Sequence, residues 1–264
     1  MVTLSGVKEM AGNELKICKF VLAHLGNLNL KHIGVIKEIA TPIKQSSDLK
    51  IIKSEDDLST VSTQDSWKKA DIYLNRSGVS IKQIGGSFAF NRLQRANIVN
   101  LYQQLEFTDI ENKLTLIAQD IKRFHQGLLN SRNVPWQNYL SELDFKELLK
   151  FLMLTGSPNQ GISSHPAQYI LEAPSSDINQ NNISLYSFDE YFELYKSNLS
   201  IAIRRQWIGQ NSNSEHKRAL SLAKKVNNSP WVFNEVVGQP RSGWRDNFPK
   251  EERKTVYFLM IEKK

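Results

Sequence analysis

The chain has 264 residues, 40% of them hydrophobic and 23% charged, the balance of a globular protein able to bury a core. Lysine and arginine outnumber the acids by 34 to 27, and the resulting charge of +7 attracts polyanions such as nucleic acid. No apolar run reaches the roughly 18 residues that span a bilayer, no export signal opens the chain, and the lone Cys18 has no internal disulfide partner. A cytoplasmic protein with no membrane partner is expected, and five scattered histidines offer no His-built metal site.

Residues 7–25 place apolar side chains at helical spacing, with Gly12-Asn13 as the one weak spot. A strand is expected over 32–39, then a polar stretch, 41–66, holding a short strand at 48–53. A hairpin follows at 70–84 and an amphipathic helix at 87–105. The pattern stays helical from 108 to 154, broken at Asn133-Val134-Pro135, and a Gly/Ser/Pro/Asn loop fills 156–166. Five β-type runs come next, at 167–173, 183–188, 199–207, 231–237 and 255–263, with helical pieces at 189–196 and 215–226. This order predicts an α/β (α+β) protein with a central mixed sheet flanked by helices and a second α+β part.

The hairpin carries one carboxylate, Asp71, and one ammonium, Lys82, in otherwise uncharged strands. Alternation puts Ser80 and Lys82 on one strand face. A two-residue turn at Arg76-Ser77 or Ser77-Gly78 places Asp71 on that face too, whereas an odd-length loop separates them. Given the even turn, the pair is the minimum for metal-dependent phosphodiester hydrolysis: a carboxylate to hold Mg2+ and a lysine to orient or deprotonate water. A plain cross-strand ion pair is the alternative.

Asp71, eight residues, then Ser80-Ile81-Lys82 resembles the active-site hairpin of the PD-(D/E)xK nuclease superfamily, and the chain is similar to its type II restriction endonucleases. The resemblance covers about the first 107 residues and implies a restriction-endonuclease-like core. It implies Asp71 as the main Mg2+ ligand, Lys82 on the attacking water, and the Ile81 carbonyl in the metal shell. Ala70 replaces the motif's proline. Ser80 stands where the family usually has a second acid, and no Asp or Glu lies between Ser87 and Leu105. Glu14 on the first helix is the expected substitute, with Glu38 as second choice.

Gly85-Gly86 lets backbone approach an anion, with Ser87 as the expected N-cap and the helix N–H groups facing a DNA phosphate. Asn91, Arg92, Gln94 and Arg95 then cluster, side chains able to pair with guanine or adenine edges. Gln83, after the lysine, is a phosphate contact or a core-side strand residue. In the second half, Arg204, Arg205 and Gln206 precede Trp207, and Arg241 and Arg245 flank Trp244, a pattern suited to DNA contacts. His165 and Gln168 are candidates in an exposed loop. The expected organisation is a nuclease core with catalytic hairpin over 1–107, a helical region over 108–160 and an α+β DNA-recognition region over 161–264. The expected activity is Mg2+-dependent, sequence-specific cleavage of double-stranded DNA to 5′-phosphate and 3′-hydroxyl ends, most simply by a homodimer. The alternatives are a non-catalytic DNA- or RNA-binding module on a nuclease-like scaffold, or a repair or junction nuclease.

Overall fold

The computed structural model describes residues 13–44, 46–58, 68–86, 92–158, 160–209, 213–234 and 249–263. Along the chain lie helix α1 (Asn13–Ala23) and strands β1 (Ile39–Pro42), β2 (Leu49–Ile51), β3 (Ile72–Leu74) and β4 (Ser77–Gln83). Helices α2 (Arg95–Gln104) and α3 (Ile110–His125), strand β5 (Asn133–Pro135) and helix α4 (Glu142–Lys150) follow. Then come β6 (Tyr169–Ala173), β7 (Ser184–Tyr186), α5 (Phe188–Tyr195), β8 (Leu199–Trp207), α6 (Asn213–Ala223), β9 (Val232–Asn234) and β10 (Lys254–Lys263). The class is mixed α+β. No helix among the described residues is long and apolar enough to cross a membrane.

The chain divides into two compact units, Met1–Ser87 with Leu149–Ser197, and Phe88–Leu148 with Asn198–Lys264. The first unit therefore takes in 149–197, beyond the segment read as the core, and gives up 88–107. Its six-stranded sheet has the order β7-β6-β4-β3-β1-β2. All neighbours are antiparallel except β6, which pairs parallel to β4. A parallel pair needs a long crossover, and here all the chain between Gln83 and Tyr169 supplies it. That crossover includes a π-helical turn, Phe151–Thr155, a local change of hydrogen-bond register often found near functional sites.

Ile17, Cys18 and Val21 of α1 are fully buried and pack in one cluster with Ile72, Val79, Ile81 and Leu171 of the sheet. Burying each large aliphatic side chain contributes roughly 1.5–3 kcal/mol, so this interface fixes α1 against the strands that carry Asp71 and Lys82. Helix α5 begins with a capping box: Ser187 Oγ accepts the Glu190 N–H at 3.3 Å, and Glu190 Oε2 accepts the Ser187 N–H at 2.9 Å.

The second unit holds an antiparallel sheet of order β9-β10-β8-β5, in which β8 pairs with β10 along its full nine residues. Ala219 and Leu222 of α6 pack on Ile208 and Val256, and Trp136 stacks on Phe145 with ring centroids 4.5 Å apart. Two expectations are corrected here. The break at 133–135 is a short strand, β5, paired with Ser200–Ala202. Of the helix expected over 87–105, residues 87–91 lie outside the described residues, 92–94 are not helical, and α2 starts at Arg95 with Gln94 as its N-cap. Leu93 is drawn instead into two backbone hydrogen bonds with Leu259, of 2.8 and 2.9 Å, which hold Arg92–Gln94 out of the helix.

Candidate active site on the β3–β4 hairpin

The turn of the hairpin is Asn75-Arg76, both in the left-handed region with φ of 46° and 67°. Two such residues close a hairpin whose strands keep their right-handed twist. Asparagine tolerates that conformation, and Asn75 is tied down further: its Oδ1 accepts the Lys37 and Glu38 N–H groups, and its Nδ2 donates to the Val35 carbonyl. The turn lies one residue before the earlier of the two positions read from the sequence, and its length is even. The register pairs Leu74 with Ser77 and Ile72 with Val79. Asp71 therefore falls opposite Ser80, and Lys82 follows two residues on, so all three share one face.

Their contacts form a chain. Asp71 Oδ2 accepts the Ile81 N–H at 2.7 Å and the Ser80 hydroxyl at 3.5 Å, while Lys82 Nζ donates to Ser80 Oγ at 2.9 Å. Ser80 is only 2% exposed. A buried hydroxyl that accepts from the lysine and donates to the aspartate is a spacer between the two charges. An acid at this position would sit within repelling distance of Asp71.

Glu14, on α1, feels the charges of Asp71 and Lys82. It lies one turn before Cys18, on the side of the helix that meets the sheet. Burial raises its carboxyl to about 7, the Asp71 charge adds to the rise, and Lys82 and then Lys68 oppose it. Cys18 feels the same field: burial, then Asp71, then Glu14 push its thiol up to about 12. Glu38, the second-choice acid, sits instead at the turn end of the hairpin, 4.0 Å from Arg76 Nε.

Sequence reasoning passed over three charged residues. Lys68 is 9% exposed and bridges to His165 through the backbone. Lys69, two residues before Asp71, donates from Nζ to the Leu152 carbonyl in the π-helical turn at 2.7 Å. Burial lowers its ammonium to about 8, Lys82 lowers it further, and Asp71 works the other way. The dipeptide Lys68-Lys69 ahead of Ala70-Asp71 was the available signal. Glu172 is the third: the parallel register sets it beside Lys82, 3% exposed, accepting the Tyr191 and Tyr195 hydroxyls at 3.0 and 2.6 Å. Burial first, and then Glu172, raises both phenols, and the two bonds fasten α5 to β6. Nothing in the sequence placed Glu172 next to Lys82, because they lie 90 positions apart in the chain.

The hairpin presents hard oxygen donors, the chemistry that suits Mg2+. The mutual repulsion of Glu14 and Asp71 is what a bound dication would relieve, so the residues present fit the ion. Among the described residues there is no group of three or more His, Cys, Asp or Glu that would enclose a metal by itself. The remaining ligands of a Mg2+ here would be main-chain oxygen, as at Ile81, water and phosphate.

The candidate DNA contacts divide. In the first unit Gln83 and Gln168 are exposed, and Gly86 is half-buried beside Gly85, whose φ is 73°. His165, expected in an exposed loop, is 1% exposed. Its Nδ1 bonds the Tyr73 hydroxyl and its Nε2 the Ser46 carbonyl, so the ring is a structural tie and is corrected as a DNA contact. In the second unit Arg92 is exposed with its guanidinium over the Phe258 ring. Gln94 accepts from Asn228 at 3.4 Å, and Arg95 is half-buried with its Nη1 lacking a hydrogen-bond partner. Arg205 lies flat on Trp207 at 3.7 Å, and Arg204 pairs with Glu262. Gln206 is 6% exposed and faces inward, which corrects it as a surface contact. Ser87, Asn91, Arg241 and Arg245 lie outside the described residues. Compared with protein-family models, curated proteins and solved structures, the chain matches none.

Proposed function

We propose that the protein is a Mg2+-dependent endonuclease acting on double-stranded DNA at specific sequences. The observation that carries this is Asp71, Ser80 and Lys82 on one hairpin face, within electrostatic reach of Glu14 on α1, whose carboxyl is raised to about 7 by burial first and then by Asp71. Two features support a restriction-endonuclease-like core: the helix α1 ahead of the hairpin, and a strand returning parallel to β4 after a crossover.

In this reading Asp71 and Glu14 hold Mg2+, with the Ile81 carbonyl as a further oxygen. Bound there, the ion supplies Lewis-acid polarisation of the scissile phosphate and a water of lowered pKa. The Lys82 ammonium, held by Ser80, orients the attacking water and offsets charge as the phosphorus becomes five-coordinate. Lys68 and Lys69 add positive potential that favours the polyanion, and Lys68 also favours the ionised form of Glu14. Attack in line with the O3′ leaving group yields 5′-phosphate and 3′-hydroxyl ends, and cutting both strands calls for two such sites, as in a homodimer.

A second reading, a binding module on the same scaffold, draws on Ser80: a neutral hydroxyl stands where a second acid would strengthen metal binding. The two separate in one assay, plasmid and phage DNA incubated with the protein and Mg2+. Discrete fragments that vanish in Asp71→Ala and Lys82→Ala support the nuclease. No cleavage, with a salt-sensitive gel shift that survives both substitutions, supports the binding module.

A further inference from the structure

Three arginines from separate parts of the second unit meet around one strand pair. Arg204 on β8 lies directly opposite Phe258 on β10, so the two side chains share a sheet face. The Arg92 guanidinium sits 5.1 Å above that same Phe258 ring, held by cation–π attraction. Arg132 enters from the other flank: its carbonyl accepts the Ile203 N–H at 2.8 Å, next to Arg204 in sequence. Arg92 and Arg132 are exposed, whereas the Arg204 side chain is 26% exposed and its Nε is buried with no hydrogen-bond partner. Burial first, then Arg132 and Arg92, lowers the pKa of Arg204, which places the three guanidinium groups in one field.

The Arg204 guanidinium pairs with Glu262, reached along the sheet past the small Ala202. Glu262 contacts Arg204, while Arg132 and Arg92 add positive charge to the field at Arg204. Guanidinium is the planar donor that matches phosphate oxygens two at a time. We propose that Arg92, Arg132 and Arg204 form a binding site for a backbone phosphate of nucleic acid, with Glu262 as the internal anion that competes with it for Arg204. This site fixes affinity and leaves sequence choice to other residues. It rests on the DNA reading above, but not on cleavage, and it adds Arg132, which no sequence pattern singled out.

The test is binding of short fluorescent DNA duplexes of several unrelated sequences, in EDTA, across a range of salt concentrations. Arg92→Gln and Arg132→Gln replace exposed side chains, and a melting curve of each checks the fold. Each is expected to weaken every duplex alike, by roughly tenfold, and to flatten the logarithmic salt dependence by about one unit. Glu262→Gln, if its melt shows it folded, is expected to bind all duplexes severalfold tighter. The proposal is overturned if the two arginine variants keep the wild-type salt slope, if they weaken one sequence alone, or if the wild type binds no duplex. A folded Glu262→Gln that binds no tighter removes the competing role of that carboxylate. Cleavage of plasmid with Mg2+ by the same variants keeps the two readings apart. Duplex binding by the wild type without cleavage, weakened in the arginine variants, strikes the nuclease and spares this site, while arginine variants that bind and cleave as the wild type does strike this site and spare the nuclease.

Discussion

Glu14→Gln at the hairpin should make the metal-free protein more stable, and only at higher pH. The Glu14 carboxyl lies near 7 in the folded chain against an ordinary 4.5, raised by burial and then by Asp71. Below the ordinary value both states hold the proton and folding is unaffected. Between about 4.5 and 7 the unfolded chain has released it while the folded chain keeps it, so stability falls as pH rises; above 7 the full penalty is present. At 1.36 kcal/mol per unit the gap of about 2.5 units sets an upper value near 3.4 kcal/mol. The side chain is partly exposed, so about 1–3 kcal/mol is expected after allowing for solvent. Glutamine keeps the shape and removes the charge. Urea melts in EDTA should show Glu14→Gln gaining that amount at about pH 8 and almost nothing near pH 4.5. Added Mg2+ should stabilise the wild type at the higher pH and the variant less. A variant no more stable than wild type at the higher pH would refute the reasoning that Glu14 faces Asp71 in a buried site.

Other substitutions test the frame around the hairpin. His165→Ala leaves the Tyr73 hydroxyl and the Ser46 carbonyl without the ring that joins them. It should cost about 2–4 kcal/mol in urea unfolding. Asn75→Ala places a side chain with no acceptor or donor at φ 46° and frees two N–H groups and a carbonyl; a loss of about 2–3 kcal/mol is expected from the same measurement. Tyr195→Phe removes the 2.6 Å bond to Glu172 and should cost about 1.5–3 kcal/mol, the range for hydrogen bonds to a charged group. A Tyr195→Phe protein as stable as wild type would show that Glu172 does not fasten α5 to the sheet.

Much of the fold follows from local pattern. The apolar spacing of Ile17, Cys18 and Val21, and the long β-type runs at 199–207 and 255–263, correspond to α1, β8 and β10. The shared face of Asp71 and Lys82 was legible because it depends only on an even turn, whichever residues form it. What escaped the sequence is non-local. The parallel pairing of β4 with β6 joins strands separated by the whole Phe88–Leu148 segment of the second unit, and so Glu172 beside Lys82 was invisible. His165 reads as a loop residue because Gly, Ser and Pro surround it, yet its ring is claimed by Tyr73 and Ser46 from distant segments. The late start of α2 has the same origin: Leu93 prefers a backbone pairing with Leu259 to another turn of helix. Lys68 and Lys69 were visible in the sequence, but their burial was not.

Titration calorimetry of Mg2+ into the protein at about pH 8, where Glu14 is ionised, bears most directly on the claim that Asp71 and Glu14 together hold a metal. Wild-type protein should bind Mg2+, with affinity falling as pH drops through about 7 and protons return to Glu14. Asp71→Asn should abolish binding, and Glu14→Gln should weaken it and remove the pH dependence. Binding of equal strength in Asp71→Asn, or none in the wild type, would contradict the account.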